Sequence, residues 1–262
     1  MKSTLNVTFL GTGTSQGIPV IASDHPVCKS DNPKDKRLRV SVLLEWDDHS
    51  VVIDCGPDFR QQMLRENVTK LDAVLLTHEH SDHIIGLDDI RPFYFKQGDI
   101  TFYAEERVFK ALHQRFAYVF ETKNKYPGAP TIEEVVISEK EPFEVKGKSV
   151  IPIRAMHHDL PILGFKIDGF VYLTDVKTMS ASEIEKIKGC DVLVVNALRE
   201  EAHRSHFNLE EALSFIDTVQ PNTAYLTHIS HLLGFHDEVQ ARLPEHINLA
   251  YDTLKLSIPD EE

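Results

Sequence analysis

Hydrophobic positions alternate with polar ones in short runs typical of strands, and segments with helical spacing separate these runs. The first such run, from Leu5 to Leu10, ends at a loop with three glycines in seven residues. The remaining predicted strands cover 40–46, 50–54, 73–77, 100–104, 133–137, 149–155, 163–167, 169–174, 192–196 and 223–226. Helices are predicted over 58–66, 105–120, 180–188, 209–219 and around 237–243, with a helix or turn over 84–90. In each half of the chain, strands come first and are followed by strands that alternate with helices. This repeated order favours a layered α/β sandwich.

Length and composition favour a single domain over residues 1–262. A chain of 262 residues with 42% hydrophobic content can bury a substantial core, and no composition break indicates a linker. Three scattered cysteines do not make a disulfide framework, so we expect a reducing, cytoplasmic location, with Cys55 and Cys190 as small buried hydrophobes. The segment from Met1 to Asn6 lacks a signal-peptide core, and no run approaches about 18 apolar residues, so no membrane partner is expected.

The formal net charge of −13 restricts the class of substrate. Proteins that hold polyanions usually present basic surface, because neutralising phosphates supplies most of their affinity. Long nucleic acid is therefore an unlikely partner. A small phosphate-containing substrate remains compatible, because bound metals and clustered histidines make a pocket locally positive.

Four candidate metal ligands lie within the six residues from His78 to His83, directly after a short apolar run. Neutral imidazole and ionised carboxylate suit divalent transition metals. A turn after a strand lets His78 and His80 aim at one ion while Asp82 and His83 aim at a second. The His-Glu-x-x-His spacing of a zincin helix does not occur in this stretch. The pattern therefore predicts a metal site of another kind.

The order His-x-His-x-Asp-His resembles the signature of the metallo-β-lactamase superfamily. The resemblance implies a four-layer αβ/βα sandwich with two metals at one edge between two sheets. It also implies later ligands at strand ends, where His157 matches better than His158 and where Asp175 could alternatively cap a turn. The implied ligands are His78, His80 and His157 on one ion, Asp82, His83 and His228 on the other, and Asp175 between them.

Further stretches resemble one branch of that superfamily, the phosphoribosyl cyclic phosphodiesterase of phosphonate degradation. They cover 9–20, 83–91, 173–177 and 227–231, and ribonuclease Z shares several of them. The loop in 9–20 is not a dinucleotide fingerprint, because Gln16 stands where the third glycine would fall. His80 argues against oxygen-reducing relatives, which carry a glutamate there. Classical lactamases carry a cysteine ligand on the strand that ends at Asp175.

In that branch a histidine outside the metal shell contacts the phosphate or protonates the leaving group, and His206 matches it. The alternative is that His206 merely precedes a helix. The branch also often holds a structural zinc through three N-terminal cysteines and a later histidine. Here the matching residues are Ser23, His25, Cys28 and His231. Two alternatives remain open: His25, Cys28 and His231 hold an additional structural zinc, or the site is lost.

The resemblance implies a dinuclear metal-dependent phosphodiesterase acting on a small cyclic or nucleotide-like diester. The expected nucleophile is a hydroxide shared by two zinc or manganese ions, with Asp82 and Asp175 as catalytic carboxylates. Protonated His206 is expected to donate to the departing alkoxide. The alternatives are a ribonuclease Z-like endonuclease, a thioester hydrolase of the same fold, and a metal-stabilised binding protein without turnover. A homodimer is expected from resemblance alone.

Overall fold

The computed structural model describes residues 4–259, and two seven-stranded sheets form its centre. The first sheet consists of β1 (Leu5–Gly11), β2 (Ser41–Trp46), β3 (His49–Ile53), β4 (Ala73–Leu75), β5 (Ile100–Ala104), β6 (Ile132–Val136) and β14 (Lys255–Ile258). Its spatial order is β14-β1-β2-β3-β4-β5-β6. The neighbours from β14 to β3 pair antiparallel, and those from β3 to β6 pair parallel.

The second sheet repeats this plan in the later half of the chain. Its strands are β7 (Phe143–Val145), β8 (Lys148–His157), β9 (Leu160–Ile167), β10 (Phe170–Tyr172), β11 (Val192–Asn196), β12 (Thr223–Thr227) and β13 (Ile247–Leu249). They lie in the order β13-β12-β11-β10-β9-β8-β7. The pairs from β7 to β10 are antiparallel and those from β10 to β13 are parallel.

Helices cover the outer faces of both sheets. They are α1 (Phe59–Arg65), α2 (Ser81–Ile84), α3 (Arg91–Gln97), α4 (Glu106–Arg115), α5 (Ala117–Phe120), α6 (Ala181–Ile187), α7 (Leu209–Val219) and α8 (His236–Gln240). Apolar residues of α1, α3 and α4 pack on the first sheet, and those of α6 and α7 pack on the second. None of the helices within residues 4–259 is long and apolar enough to span a bilayer.

The layer between the two sheets is the central core. Phe9 and Ile53 of the first sheet and Phe165 and Tyr172 of the second are fully buried in one apolar cluster. Burying sheet faces against each other and helices against their backs removes most apolar surface from water, which is the main stabilising term. The resulting four-layer αβ/βα sandwich confirms the predicted fold.

Most predicted elements occur, and the differences have local causes. The strand over 192–196 and the helix over 209–219 have the predicted bounds. The helix predicted over 105–120 is instead two helices, because Phe116 leaves the helical region at φ −123° and ψ 41°. The short strands β7, β13 and β14 were not predicted, since three or four residues are too few to establish a period, and the helix α3 was also missed.

The sheets bring four strand ends to one edge of the sandwich. Strands β10 and β12 run parallel to β11, and β8 runs in the same direction because it is antiparallel to β9, which is antiparallel to β10. His157 is the last residue of β8, the chain beyond β10 and β12 carries Asp175 and His228, and the chain beyond β4 carries His78. Polar side chains distant in sequence therefore meet between the sheets at this edge.

Candidate metal centre

The turn after β4 supplies the donors of the first half of the chain. His78 is fully buried, His80 lies exposed at the N-cap of α2, and His83 is fully buried within α2. The ring centroid of His78 lies 4.6 Å from that of His80 and 4.1 Å from that of His83. Asp82, on the first turn of α2, is partly buried beside them. The four predicted residues of this turn therefore lie together.

Asp54 orients this turn, and sequence analysis did not identify it. Its Oδ2 lies 2.7 Å from Nδ1 of His83, and its two oxygens accept hydrogen bonds from the amide and hydroxyl of Thr77 at 2.9 and 2.8 Å. The Thr77 hydroxyl in turn lies 3.0 Å from Nδ1 of His78. Both imidazoles thus have Nδ1 engaged, which leaves Nε2 for another ligand. The available signal was an aspartate at the end of the strand predicted over 50–54.

Gly56 lets the chain after β3 lie directly against the metal-site turn. A Cβ atom at this position would lie 2.0 Å from the backbone oxygen of Asp82, a distance that real Cβ atoms essentially never show. The neighbouring Cys55 amide also donates to the His83 carbonyl at 2.8 Å. This backbone contact and the Asp54 hydrogen bonds together fix the position of the metal-site turn relative to the chain after β3.

Asp175 stands between donors from both halves of the chain. Its Oδ2 lies 3.4 Å from Nε2 of His83, and its Oδ1 lies 3.2 Å from Nε2 of His228. Oδ2 of Asp82 is 3.3 Å from the same nitrogen of His83 and 3.9 Å from that of His228. Asp175 and His228 have φ values of 61° and 53°, a left-handed conformation that is strained for residues other than glycine. Such strain is typical of functional sites.

The structure separates the two neighbouring candidates at 157 and 158. His157 is buried, and its Nδ1 lies 2.9 Å from the carbonyl of Asp175 and 2.8 Å from that of Ser205, which leaves Nε2 free. Its ring lies 5.1 Å from that of His80. His158 is 40% exposed and pairs with Asp159 instead. His157 is therefore the member of the pair that joins the cluster.

Candidate metal-donor atoms within residues 4–259 form three overlapping groups of three residues. Within each group, the donor atoms all lie within 4.8 Å of one another. These groups are His78–His83–Asp175, Asp82–His83–His228 and His157–Asp175–His206. The second group is the set predicted for one ion. The set predicted for the other ion, His78, His80 and His157, does not form one group. His78 and His157 belong to different groups, and His80 lies beside them. His83 and Asp175 each belong to two groups. All seven predicted ligands nevertheless line one cluster.

The cluster has the chemistry that a pair of divalent cations requires. The Nε2 atoms of His78, His83 and His228 are buried and have no hydrogen-bond partner. Buried nitrogens without a partner are costly, and a cation would satisfy all three. Imidazole nitrogens with carboxylates between them suit zinc or manganese. The residues therefore fit a dinuclear site.

Electrostatics also favour cations at this position. Burial acts to lower the pKa of His83, but the carboxylates of Asp82, Asp54 and Asp175 outweigh it and raise that pKa well above its usual value. Burial acts to raise the pKa of Asp175, yet the surrounding imidazoles, His228 foremost, hold it well below its usual range. The carboxylates of Asp82 and Asp175, whose pKa values are both lowered, are therefore ionised, and their field attracts positive charge.

His206 lies against the cluster as predicted, but not in the expected protonation state. Its ring centroid is 4.5 Å from that of His157 and 4.7 Å from that of His228, and its Nδ1 is 3.6 Å from Oδ1 of Asp175. Burial, followed by the charge of His228, lowers the pKa of His206 to about 3. The ring is therefore neutral near pH 7, and its single N–H suits hydrogen-bond donation to a substrate oxygen.

The additional structural zinc does not receive support from the geometry. The rings of His25 and His231 pack edge to face at 4.9 Å, and Cys28 is buried nearby with Sγ accepting from the Val20 amide at 3.4 Å. These three residues are not among the donor groups that converge within residues 4–259. The Nδ1 atom of His231 is nevertheless buried without a hydrogen-bond partner, so an additional structural zinc and loss of the site both stay open.

Comparisons with known proteins place this geometry in context. A model of the beta-lactamase superfamily domain matches residues 49–229. A relative named octanoyltransferase, from Porphyromonas gingivalis, is 42% identical over 255 residues, which cover 97% of this chain and 51% of that protein. Ribonuclease Z of Bacillus subtilis is 29% identical over 169 residues, covering 62% of this chain and 48% of the enzyme. The chain thus spans about half the length of these curated relatives.

Several solved structures match over nearly the whole length, and one of them combines this coverage with high structural likeness. It is a diphosphatase described as new and from the PhnP family, 37% identical to this chain, with a TM-score of 0.92 and 98% of each chain covered. Fold and sequence therefore agree over the complete sandwich as well as over the metal-site turn.

Proposed function

The chain belongs to the metallo-β-lactamase superfamily and has a His/Asp metal site, and from this premise we propose that it hydrolyses small phosphodiesters or diphosphates. The observation that carries the proposal is the set of buried, unpartnered Nε2 atoms of His78, His83 and His228 around the Asp175 carboxylate. The likeness to a PhnP-family diphosphatase supports phosphorus chemistry, because that family is the phosphonate-pathway branch predicted from the sequence.

Seven side chains would hold two divalent ions in this proposal. They are His78, His80, Asp82, His83, His157, Asp175 and His228. When bound, such a pair supplies Lewis-acid activation of water and neutralises charge on a phosphoryl group. The chain contributes pre-set donors, since Asp54 keeps the His83 proton on Nδ1 and the Ser205 and Asp175 carbonyls do the same for His157.

His206 would bind the scissile phosphate as a neutral hydrogen-bond donor. It lies beside Asp175, His157 and His228, and its Nδ1 is buried without a partner. A neutral imidazole has one N–H to offer, and the ring position lets it meet an oxygen of a substrate held at the cluster. This role replaces the earlier expectation of a protonated acid.

A panel of substrates tests the proposal. Zinc- and manganese-loaded protein would be assayed with a ribose cyclic phosphate, bis(p-nitrophenyl) phosphate, a diphosphate diester, a precursor tRNA and an octanoyl thioester. We expect metal-dependent cleavage of a phosphorus substrate, loss of at least about 100-fold in Asp175→Ala, and a smaller loss of about 10-fold or more in His206→Ala. The matched control is His158→Asn, outside the cluster. Failure of every phosphorus substrate would reject the proposal.

Two further candidates have specific support. The 42% identity to a protein named octanoyltransferase favours hydrolysis of an acyl ester or thioester, although that protein is about twice as long as the matched part. The match to ribonuclease Z favours tRNA cleavage, which the net charge of −13 opposes. Turnover of the thioester or the tRNA alone would select between them. Metal binding without any turnover would instead favour a binding protein.

A further inference from the structure

A cavity of about 310 Å³ lies beside the candidate metal centre. The loop after β1 forms one wall, and the loop after β11 and the turn after β12 form the other. Polar residues in these walls include Ser15, Arg199 and His203. The ring of His203 lies 5.1 Å from that of His206, so the cavity borders the site through this pair. Its volume is near the lower end of the range for ligand pockets.

Arg199 places a poorly neutralised cation in the cavity wall. Its Nε and Nη2 donate to the carbonyls of Glu201 and Ala202 at 3.4 and 3.3 Å, which hold the guanidinium in place. The nearest carboxylate, that of Glu201, is 3.9 Å away and 73% exposed. By contrast, Arg39 has a carboxylate oxygen at 3.0 Å. Within the described part of the chain, no hydrogen bond is assigned to Nη1 of Arg199.

Several positively charged groups lie around His203 in the cavity wall despite the acidic balance of the chain. Burial lowers the pKa of His203, and the charged groups that lower it further include Arg199, Lys177 and Arg204. Lys177 is paired with Glu211 at 2.6 Å, but Arg204 is exposed. The potential at this end of the site therefore suits an anion larger than a single scissile phosphate.

We propose that this cavity is the subsite for a second phosphate group of the substrate, with Arg199 as its principal ligand. The proposal rests on the proposed function and narrows it to diphosphates. Arginine binds phosphate oxygens through paired N–H donors, and His203 and the Ser15 hydroxyl add hydrogen bonds. In hydrolysis, the oxygen of water bonds to the phosphorus at the metal centre. The bridging P–O bond breaks, the second phosphate leaves with its electron pair, and the protons of water pass to the products.

Kinetics with two phosphorus substrates test this assignment. In metal-loaded Arg199→Ala, we expect kcat/KM for a nucleoside diphosphate sugar to fall about 10- to 100-fold more than kcat/KM for bis(p-nitrophenyl) phosphate. Arg199→Lys keeps the charge and should recover part of the loss. Arg60→Ala, at an exposed position of α1, is the matched control. Equal losses for both substrates in Arg199→Ala would overturn the proposal.

Binding provides a second readout that does not depend on turnover. Calorimetry on the metal-loaded protein would compare methylenediphosphonate with methylphosphonate. We expect the second phosphonate to strengthen binding in the wild type, and this gain to fall about tenfold or more in Arg199→Ala. An unchanged gain in the variant would overturn the proposal. If the wild type cleaves no phosphorus substrate, the proposed function fails, while this comparison still decides the subsite.

Discussion

His83 Nδ1 lies 2.7 Å from Oδ2 of Asp54, so a buried carboxylate behind the metal centre decides which nitrogen of His83 faces the ions. The same carboxylate reaches His78 through the Thr77 hydroxyl. One aspartate thus orients two ligands, although it lies 29 residues before His83 in the sequence. Such partners commonly affect metal affinity almost as much as the ligands themselves.

Replacing this carboxylate should weaken metal binding and leave the ligands present. In Asp54→Asn we expect about 10- to 100-fold lower zinc affinity, because an amide cannot accept from His83 and both Thr77 donors at once. Competition with a chromogenic chelator measures the affinity. Asp159→Asn, whose side chain is 91% exposed, is the control. Equal affinity in Asp54→Asn and the wild type would contradict the orienting role.

Metal addition should stabilise the wild type through its buried donors. At a free ion concentration of about 100 times Kd, linkage adds about 2.7 kcal/mol to the free energy of unfolding, a rise in Tm of about 5–10 °C. His157→Asn should lose much of this rise, whereas His158→Asn should keep it. Thermal unfolding with and without zinc or manganese measures both. The prediction is wrong if the two variants respond alike.

Gly56 should matter more to the metal site than a glycine elsewhere. Gly56→Ala forces a methyl group against the Asp82 backbone, and we expect a loss of about 1–3 kcal/mol in stability together with weaker metal binding. Gly147→Ala is the control, since its φ of 86° is strained for alanine but its Cβ would meet nothing within 4 Å. Unfolding and zinc titration of both variants separate the effects. Unchanged zinc affinity in Gly56→Ala would show that the turn tolerates displacement.

His236 should make stability depend on pH away from the metal centre. Its Nδ1 lies 3.1 Å from Nη2 of the buried Arg37, and burial followed by the charge of Arg37 lowers its pKa to about 4. The pKa of His236 in the folded state is below its unfolded value of about 6.5. The contribution of His236 to the free energy of unfolding is therefore complete above pH 6.5 and is lost as pH falls towards 4.

The variant His236→Asn isolates that contribution. Asparagine can accept a hydrogen bond from Arg37 but does not titrate. Between pH 6.5 and 4, the free energy of unfolding of the wild type should therefore fall by about 1–3 kcal/mol more than that of the variant. Denaturant unfolding at several pH values in this interval measures the difference. Parallel pH profiles for the two proteins would exclude His236 as the source.

The sequence predicted the sandwich because its long elements carry clear periods. The strand ending at Asn196 and the helix from Leu209 to Val219 each alternate or repeat strongly enough to locate both ends. Strand β14 pairs with β1, although almost the whole chain separates the two strands in the sequence. The four residues of β14 are too few to show from the sequence that they pair with β1. Likewise, nothing local signals that a helical run breaks at Phe116, whose backbone follows the packing of α4 and α5.

The donors of the candidate site were recognisable because each follows a strand as a histidine or aspartate. What sequence reasoning could not supply is their pairing in space. Asp54 appeared as an ordinary strand end, and only the fold brings it to His83. The neutral state of His206 also depends on burial and on neighbours such as His228. For the predicted structural zinc, residue types alone did not establish convergence of the three side chains.

The candidate centre draws its donors from both halves of the chain. The turn bearing His78 to His83 belongs to the first sheet, while His157, Asp175 and His228 follow strands of the second. A bound ion pair would therefore act as a reversible cross-link between two layers that are also joined by apolar side chains, by the Leu163 amide donating to the Thr77 carbonyl and by the Arg154–Glu105 ion pair. Loss of the ions should then ease mechanical or proteolytic separation of the halves. Metal supply would then affect the lifetime of the folded chain as well as its chemistry.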